Sequence, residues 1–132
     1  MLIRNILEES VRKFDEVKAV KWLKKKEIME RSYGELMENV VSTRKGLLAE
    51  GFEGKHIALI GTSSVEWMES YLGIITGCTT AVPLDAALPC EDLIDLLNRS
   101  DSVALFLSPK LKPYLDAFLE NCPKLQKVWM LQ

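Results

Sequence analysis

The spacing of apolar positions changes along the chain, and the change separates a short N-terminal region from a longer repeating one. Ile3, Leu7, Val11 and Phe14 recur at helical spacing, which predicts an amphipathic first helix with Arg4, Glu8, Glu9 and Arg12 turned to water. This helix is expected to pack on whatever follows it. From Lys18 to Ser32 the pattern becomes Ala19-Val20-Lys21-Trp22-Leu23, then Lys24-Lys25-Lys26, then Glu27-Ile28-Met29. Two short strands around a tight polar turn, a β-hairpin, account for it.

From Ser32 onward helical and strand patterns alternate. Ser32 followed by Glu35 matches a capping box, in which hydroxyl and carboxylate satisfy orphan N–H groups reciprocally, so a helix should begin at Tyr33. Leu36, Val40 and Leu47 mark its buried stripe, and Gly51 arrives where a left-handed C-terminal residue is wanted. The run Ile57-Ala58-Leu59-Ile60 suits a strand covered on both faces. Gly61 to Ser64 turns the chain, and Ser63 with Glu66 predicts a second capping box ahead of a helix carrying Val65, Met68, Leu72 and Ile75 on one face. Gly73 and Gly77 are expected to let that helix approach the sheet closely. The alternation continues through strand Thr80–Leu84, helix Cys90–Arg99, strand Val103–Leu107, helix Pro109–Asn121 and strand Lys127–Leu131. Ser108-Pro109 reads as an N-cap followed by proline in the first turn.

Strand, helix, strand at this spacing predicts an α/β class: a parallel sheet with right-handed crossovers and helices on both faces, Rossmann- or flavodoxin-like in three layers. Ligands of such sheets bind outside the carboxyl ends of the strands, which directs attention to the loops that start at Gly61, Asp85 and Ser108.

Composition narrows the picture. At 132 residues, 48% hydrophobic and 27% charged, the chain is long enough for one core and short for two. The expected organisation is one partial domain over residues 1–132, with the helix and hairpin in 1–32 and the βα repeats in 33–132. Seventeen basic against nineteen acidic residues give a net charge of -2, so there is no general positive field for nucleic acid or an anionic membrane. The lysines at 24–26 are read as a solvated turn. Met1 to Phe14 has no continuous apolar centre, as a signal peptide or anchor would. Tyr71 to Leu84 is interrupted by Gly73, Gly77 and Pro83, and it falls short of the roughly 20 residues of a spanning helix. A cytoplasmic location is expected. Cys78, Cys90 and Cys122 are odd in number and far apart, which argues for reduced structural thiols.

The loops carry little chemistry by themselves. Gly61 to Ser64 offers hydroxyls and backbone N–H groups that suit either a phosphate or an ordinary N-cap. Asp85 suits a metal or a ribose hydroxyl, yet it has no acidic neighbour and equally well only ends the strand. His56, the sole histidine, stands at a strand start beside Lys55, where no nucleophile accompanies it. Trp22, Trp67 and Trp129 suit the core or its edge better than a cofactor stack. Neither G-x-x-x-x-G-K-[ST] nor G-x-G-x-x-G occurs.

A series of short phrases resembles one family. Ser32-Tyr33-Gly34-Glu35-Leu36 is similar to the Thr-Tyr-x-Glu-Leu near the start of the AMP-binding, adenylate-forming superfamily of acyl-CoA synthetases, luciferases and peptide-synthetase adenylation domains. Gly51-Phe52 with Gly54 to Leu59, Ser63 to Trp67, Leu72 to Gly77, Ala81-Val82-Pro83-Leu84-Asp85, Leu88-Pro89, Leu97 and Ser100-Asp101 continue the series in order over about residues 18–110. Trp67 and the Pro-Leu-Asp with Leu-Pro look most like bacterial long-chain fatty-acid–CoA ligases. Departures are Gly61-Thr62 for the usual Pro-Asn or Glu-Asn, and Cys78 where Gly or Ala is common.

The resemblance implies a two-step ligase: a fatty-acid carboxylate attacks the α-phosphate of ATP held with Mg²⁺, and the thiol of coenzyme A (CoA) then displaces AMP. It also implies that the phosphate loop, the adenine-binding motifs and the lid lysine belong to a remainder of the parent enzyme beyond Gln132. On that footing the chain by itself is expected to be inactive, with no catalytic or metal residue and no bound cofactor. Leu84, Asp85 and Ala86 are the residues expected near the nucleotide end of CoA, although the aromatic and glycines of some relatives are missing there. Other readings stay open: a peptide-synthetase adenylation segment, a freestanding flavodoxin-like binding or signalling module, and an interaction protein acting through an exposed sheet edge.

Overall fold

The computed structural model describes residues 3–131; Met1 and Gln132, the limits of the expected domain, lie outside the described residues. Helix α1 (Ile3–Phe14) leads into strands β1 (Lys18–Lys24) and β2 (Glu27–Ser32), which pair antiparallel. Lys25 and Lys26 have φ of 48° and 68°, so a two-residue turn with both positions left-handed, as in type I′, closes the hairpin. Lys24 therefore belongs to β1, and the solvated turn is shorter than the lysine run.

Next come α2 (Tyr33–Ala49), β3 (His56–Ile60), α3 (Val65–Ile75), β4 (Thr80–Leu84), α4 (Cys90–Arg99), β5 (Ser102–Leu107), a 3-10 segment (Pro109–Tyr114), α5 (Leu115–Asn121) and β6 (Lys127–Met130). The last four strands form one parallel sheet in the order β4-β3-β5-β6. Side chains alternate across it. Ala58, Ile60, Leu105 and Leu107 face Leu93, Leu97 and Phe118 of α4 and α5. Ile57, Leu59, Ala104 and Phe106 face Leu47 of α2 and Ile74 of α3. Residues 57–60 are all 0% exposed, which is what an uninterrupted apolar run means in a two-sided sheet. Pro83 is accommodated because β4 is an edge strand with β3 alone beside it.

The capping box of α2 is complete, with Ser32 Oγ accepting from Glu35 N and Glu35 Oε1 accepting from Ser32 N, and Gly51 is left-handed at φ 78°. Four expectations need correction. The cap of α3 is Ser64, whose Oγ accepts from Trp67 N, and not Ser63 with Glu66. The α3 stripe is rotated: Val65, Glu69, Ser70, Gly73 and Ile74 are buried, while Met68, Leu72 and Ile75 are only half-buried, because the helix is wedged against α2 as well as the sheet. Gly73 serves that wedge and not the sheet, since a Cβ there would lie 2.6 Å from Thr43 Cβ and Cγ2 on α2, and one at Gly77 would meet Arg44 Cγ at 3.1 Å. Finally, 109–121 is not one helix. Pro113 lacks an N–H and its ring crowds the preceding turn, so the chain runs as 3-10 to Tyr114 before the α-helix begins.

Candidate functional site

The sheet and the helices packed on it give two candidate places for a ligand or a reacting group. The first is the carboxyl end of the sheet. Because β4 lies to one side of β3 and β5 to the other, the loops after β3 and β5 flank the point where strand order reverses. Ser108 N donates to Ile60 O at 2.9 Å, which draws the two loop starts together. The space between them is filled: a Cβ on Gly61 would lie 3.0 Å from Leu131 Cδ1, 3.2 Å from Ser108 Cβ and 3.5 Å from Trp67 Cδ1. With Ser64 Oγ accepting from Trp67 N and Leu131 over Gly61, the Gly61–Ser64 loop acts as the N-cap of α3.

The loop after β4 is built differently. Asp85 is exposed and its Oδ1 accepts from Ala87 N at 2.9 Å, the self-contained turn typical of Asp. Leu84 and Ala86 are half-buried against the face formed by α4 and α5, so Asp85 is the sole charged group of the trio. Among the described residues no three His, Cys, Asp or Glu lie together as a metal site. Of the expected CoA contacts, the loop after β4 offers a backbone turn and one carboxylate.

The second place was missed from the sequence. A cleft of about 350 Å³ opens between α2, α3 and the β6 side of the sheet, with Asn39, Glu66 and Glu69 on its helical wall and Phe106, Trp129 and Leu131 on its floor. Glu69 is 5% exposed. Its Oε2 accepts from Asn39 Nδ2 at 2.7 Å and lies 2.9 Å from Arg31 Nε of β2. The Arg31 N–H is not aligned on that oxygen and makes no hydrogen bond, so the contact is an ion pair and not a charge-assisted hydrogen bond. Burial raises the Glu69 pKa above the ordinary carboxylate value, with Asn39 and Arg31 opposing the shift and Glu66 adding to it. The signal available was spacing: Val65, Glu69 and Gly73 repeat every four residues, placing an acid within the buried stripe.

This arrangement joins three elements, and the polar groups lining the cleft are carboxylates, hydroxyls and an amide. His56 is remote from it, exposed at the start of β3 with Nδ1 2.7 Å from Ser100 O. Trp129 stacks on Phe106 at 5.0 Å, Trp67 stacks on Tyr71 at 5.2 Å, and Trp22 carries the Arg31 guanidinium 5.5 Å from its ring centre. All three cysteines are free, and burial pushes the Cys122 thiol up. No described helix is long and apolar enough to cross a membrane.

A four-stranded parallel sheet of this order, preceded by a helix and a hairpin, is the architecture of the amino-terminal part of adenylate-forming enzymes. The chain belongs to the AMP-binding enzyme family, whose model matches residues 7–131. Three solved structures illustrate the likeness. An anthranilate CoA ligase, AuaEII, in complex with anthranoyl-AMP is 18% identical with a TM-score of 0.86, over 98% of this chain and 25% of that one. The N-terminal domain of FACL13 from Mycobacterium tuberculosis is 18% identical with a TM-score of 0.87, over 98% and 34%. A mutant form of coronafacic acid ligase from Pectobacterium brasiliense is 20% identical with a TM-score of 0.88, over 100% and 26%. The chain thus spans between a quarter and about a third of these structures. No curated protein matches the sequence at a significant level.

Proposed function

We propose that this chain is the amino-terminal subdomain of an ATP-dependent acyl-CoA ligase that activates a fatty acid as its acyl-adenylate and passes it to CoA. The observation that carries the reading is the family match over 7–131. The phrases at Trp67, Pro83 to Asp85 and Leu88-Pro89 favour the long-chain fatty-acid branch, and the names of the similar structures, CoA ligases among them, agree with a CoA-dependent second step. In this reading residues 1–132 form one partial domain, ATP and Mg²⁺ are bound by the remainder of a cytoplasmic parent enzyme, and the Leu84–Asp85–Ala86 turn lies near the CoA nucleotide. In this reading the chain alone is inactive, because the groups that bind ATP and move its phosphate belong to that remainder.

The experiment is ATP–pyrophosphate exchange by the purified chain with palmitate. No exchange is expected, and exchange above the buffer rate overturns the assignment of catalysis to other residues. A polypeptide extended by the codons that follow Gln132 should gain exchange and then form palmitoyl-CoA. Exchange without acyl-CoA formation would favour the peptide-synthetase reading, which Val82-Pro83-Leu84-Asp85 also fits.

A further inference from the structure

The hairpin tip presents an apolar pair that the fold does not cover. Leu23 and Ile28 are cross-strand partners, and at 70% and 74% they are the most exposed large apolar residues described. Strand alternation puts them on the face opposite Trp22, Met29 and Arg31, the last of which is turned inward to Glu69. Among the described residues nothing packs over this outer face. Immediately beyond the pair, Lys24 stands opposite Glu27 on the other face, and the exposed turn residues Lys25 and Lys26 leave two cations at the tip. Behind it, Lys21 stands opposite Glu30, which leaves that end neutral.

We propose that this tip docks on an anionic lipid surface, with Leu23 and Ile28 entering the interfacial layer and the turn residues Lys25 and Lys26 meeting lipid phosphates. An apolar pair tipped by two lysines suits a surface that is apolar below and anionic above. A second copy docking by the same face would set two lysine clusters against each other, which charge disfavours. Nucleic acid would gain nothing from two aliphatic side chains, and the one aromatic of the hairpin is engaged by Arg31 on the other face. Although the whole chain carries -2, the charge within a Debye length of the tip, about 8 Å, is positive.

Cosedimentation of the 132-residue chain with vesicles tests this, using phosphatidylcholine alone and phosphatidylcholine containing about one-third phosphatidylglycerol. Binding is expected to the anionic vesicles only. It should fall by at least about fivefold in Leu23→Ser with Ile28→Ser, and in Lys25→Asn with Lys26→Asn, and likewise as salt rises from about 50 to 500 mM. Asparagine is chosen because it tolerates the left-handed turn, and an unchanged circular dichroism melt shows that each variant folds. Absence of binding, equal binding to neutral vesicles, or binding retained in either variant overturns the proposal. So does a dimer in sedimentation equilibrium that Leu23→Ser dissolves.

Discussion

The four-stranded sheet and the two-stranded hairpin start from related sequence material and end in opposite states. β3 and β5 bury both faces under helices, so their register is fixed by packing on each side. The hairpin has one face against the body and one in water, and two strands alone are marginal. It is therefore held by polar junctions. Tyr33 N donates to Val17 O and Gly34 N to Asp15 O, each at 2.9 Å, and Arg31 reaches the buried Glu69. Apolar burial secures the sheet by many small contacts, whereas the hairpin depends on a few polar ones that a single substitution can remove.

The largest effect should come from the sheet side. Phe118→Ala, at a residue 0% exposed, is expected to cost about 3–5 kcal/mol in urea unfolding, while Leu23→Ala on the outer hairpin face should stay within about 0.5 kcal/mol. Similar costs for the two would erase the distinction. Gly73→Ala should cost about 1–3 kcal/mol by overpacking against α2. Adding Thr43→Ala should not restore stability, because Thr43 Cβ itself is one of the atoms at 2.6 Å, whereas Thr43→Gly removes it.

Glu69 probes the junction. Glu69→Ala should destabilise by about 1–3 kcal/mol and speed amide exchange in β1 and β2 more than in β3 or β5. Because burial raises its folded pKa above 4.5, the folded state holds the Glu69 proton more tightly than the unfolded chain does. Its contribution is then fully present below the unfolded pKa and lost as pH rises through the folded one. Glu69→Gln lacks that dependence, so the gap in melting temperature between variant and parent should shift in favour of the variant from acid to neutral pH. A constant gap would remove Glu69 as the titrating group. The smallest effect separates neighbouring serines: Ser64→Ala should cost about 1 kcal/mol and Ser63→Ala almost nothing.

Much of the framework was legible because local rules and tertiary burial agree there. Tyr33, Thr80, Leu84, Cys90 and Arg99 are element ends in both the reading and the structure, each marked by a cap, a glycine or proline, or a change of period. The failures have physical causes. Ser63 and Ser64 are both competent caps, and only the chain path selects one. Gly73 announced a close approach but not its partner, because helix–helix contact is not written in the helix's own period. The Asp85 loop was located correctly, but that its carboxylate turns to Ala87 N depends on backbone direction after β4. Glu69 escaped because a carboxylate in a buried stripe becomes intelligible only once Arg31, from a different element, is seen beside it.

Leu131 over Gly61 has a consequence for the order of folding. The contact joins the loop after the central strand to the residue that follows the outermost one, so most of the chain must be in place before it forms. Closure of so long an intervening segment is repaid late on the folding route. Substitutions at this lid should therefore quicken unfolding while leaving the refolding rate nearly unchanged, making Leu131 a latch on the native state and not part of its nucleus.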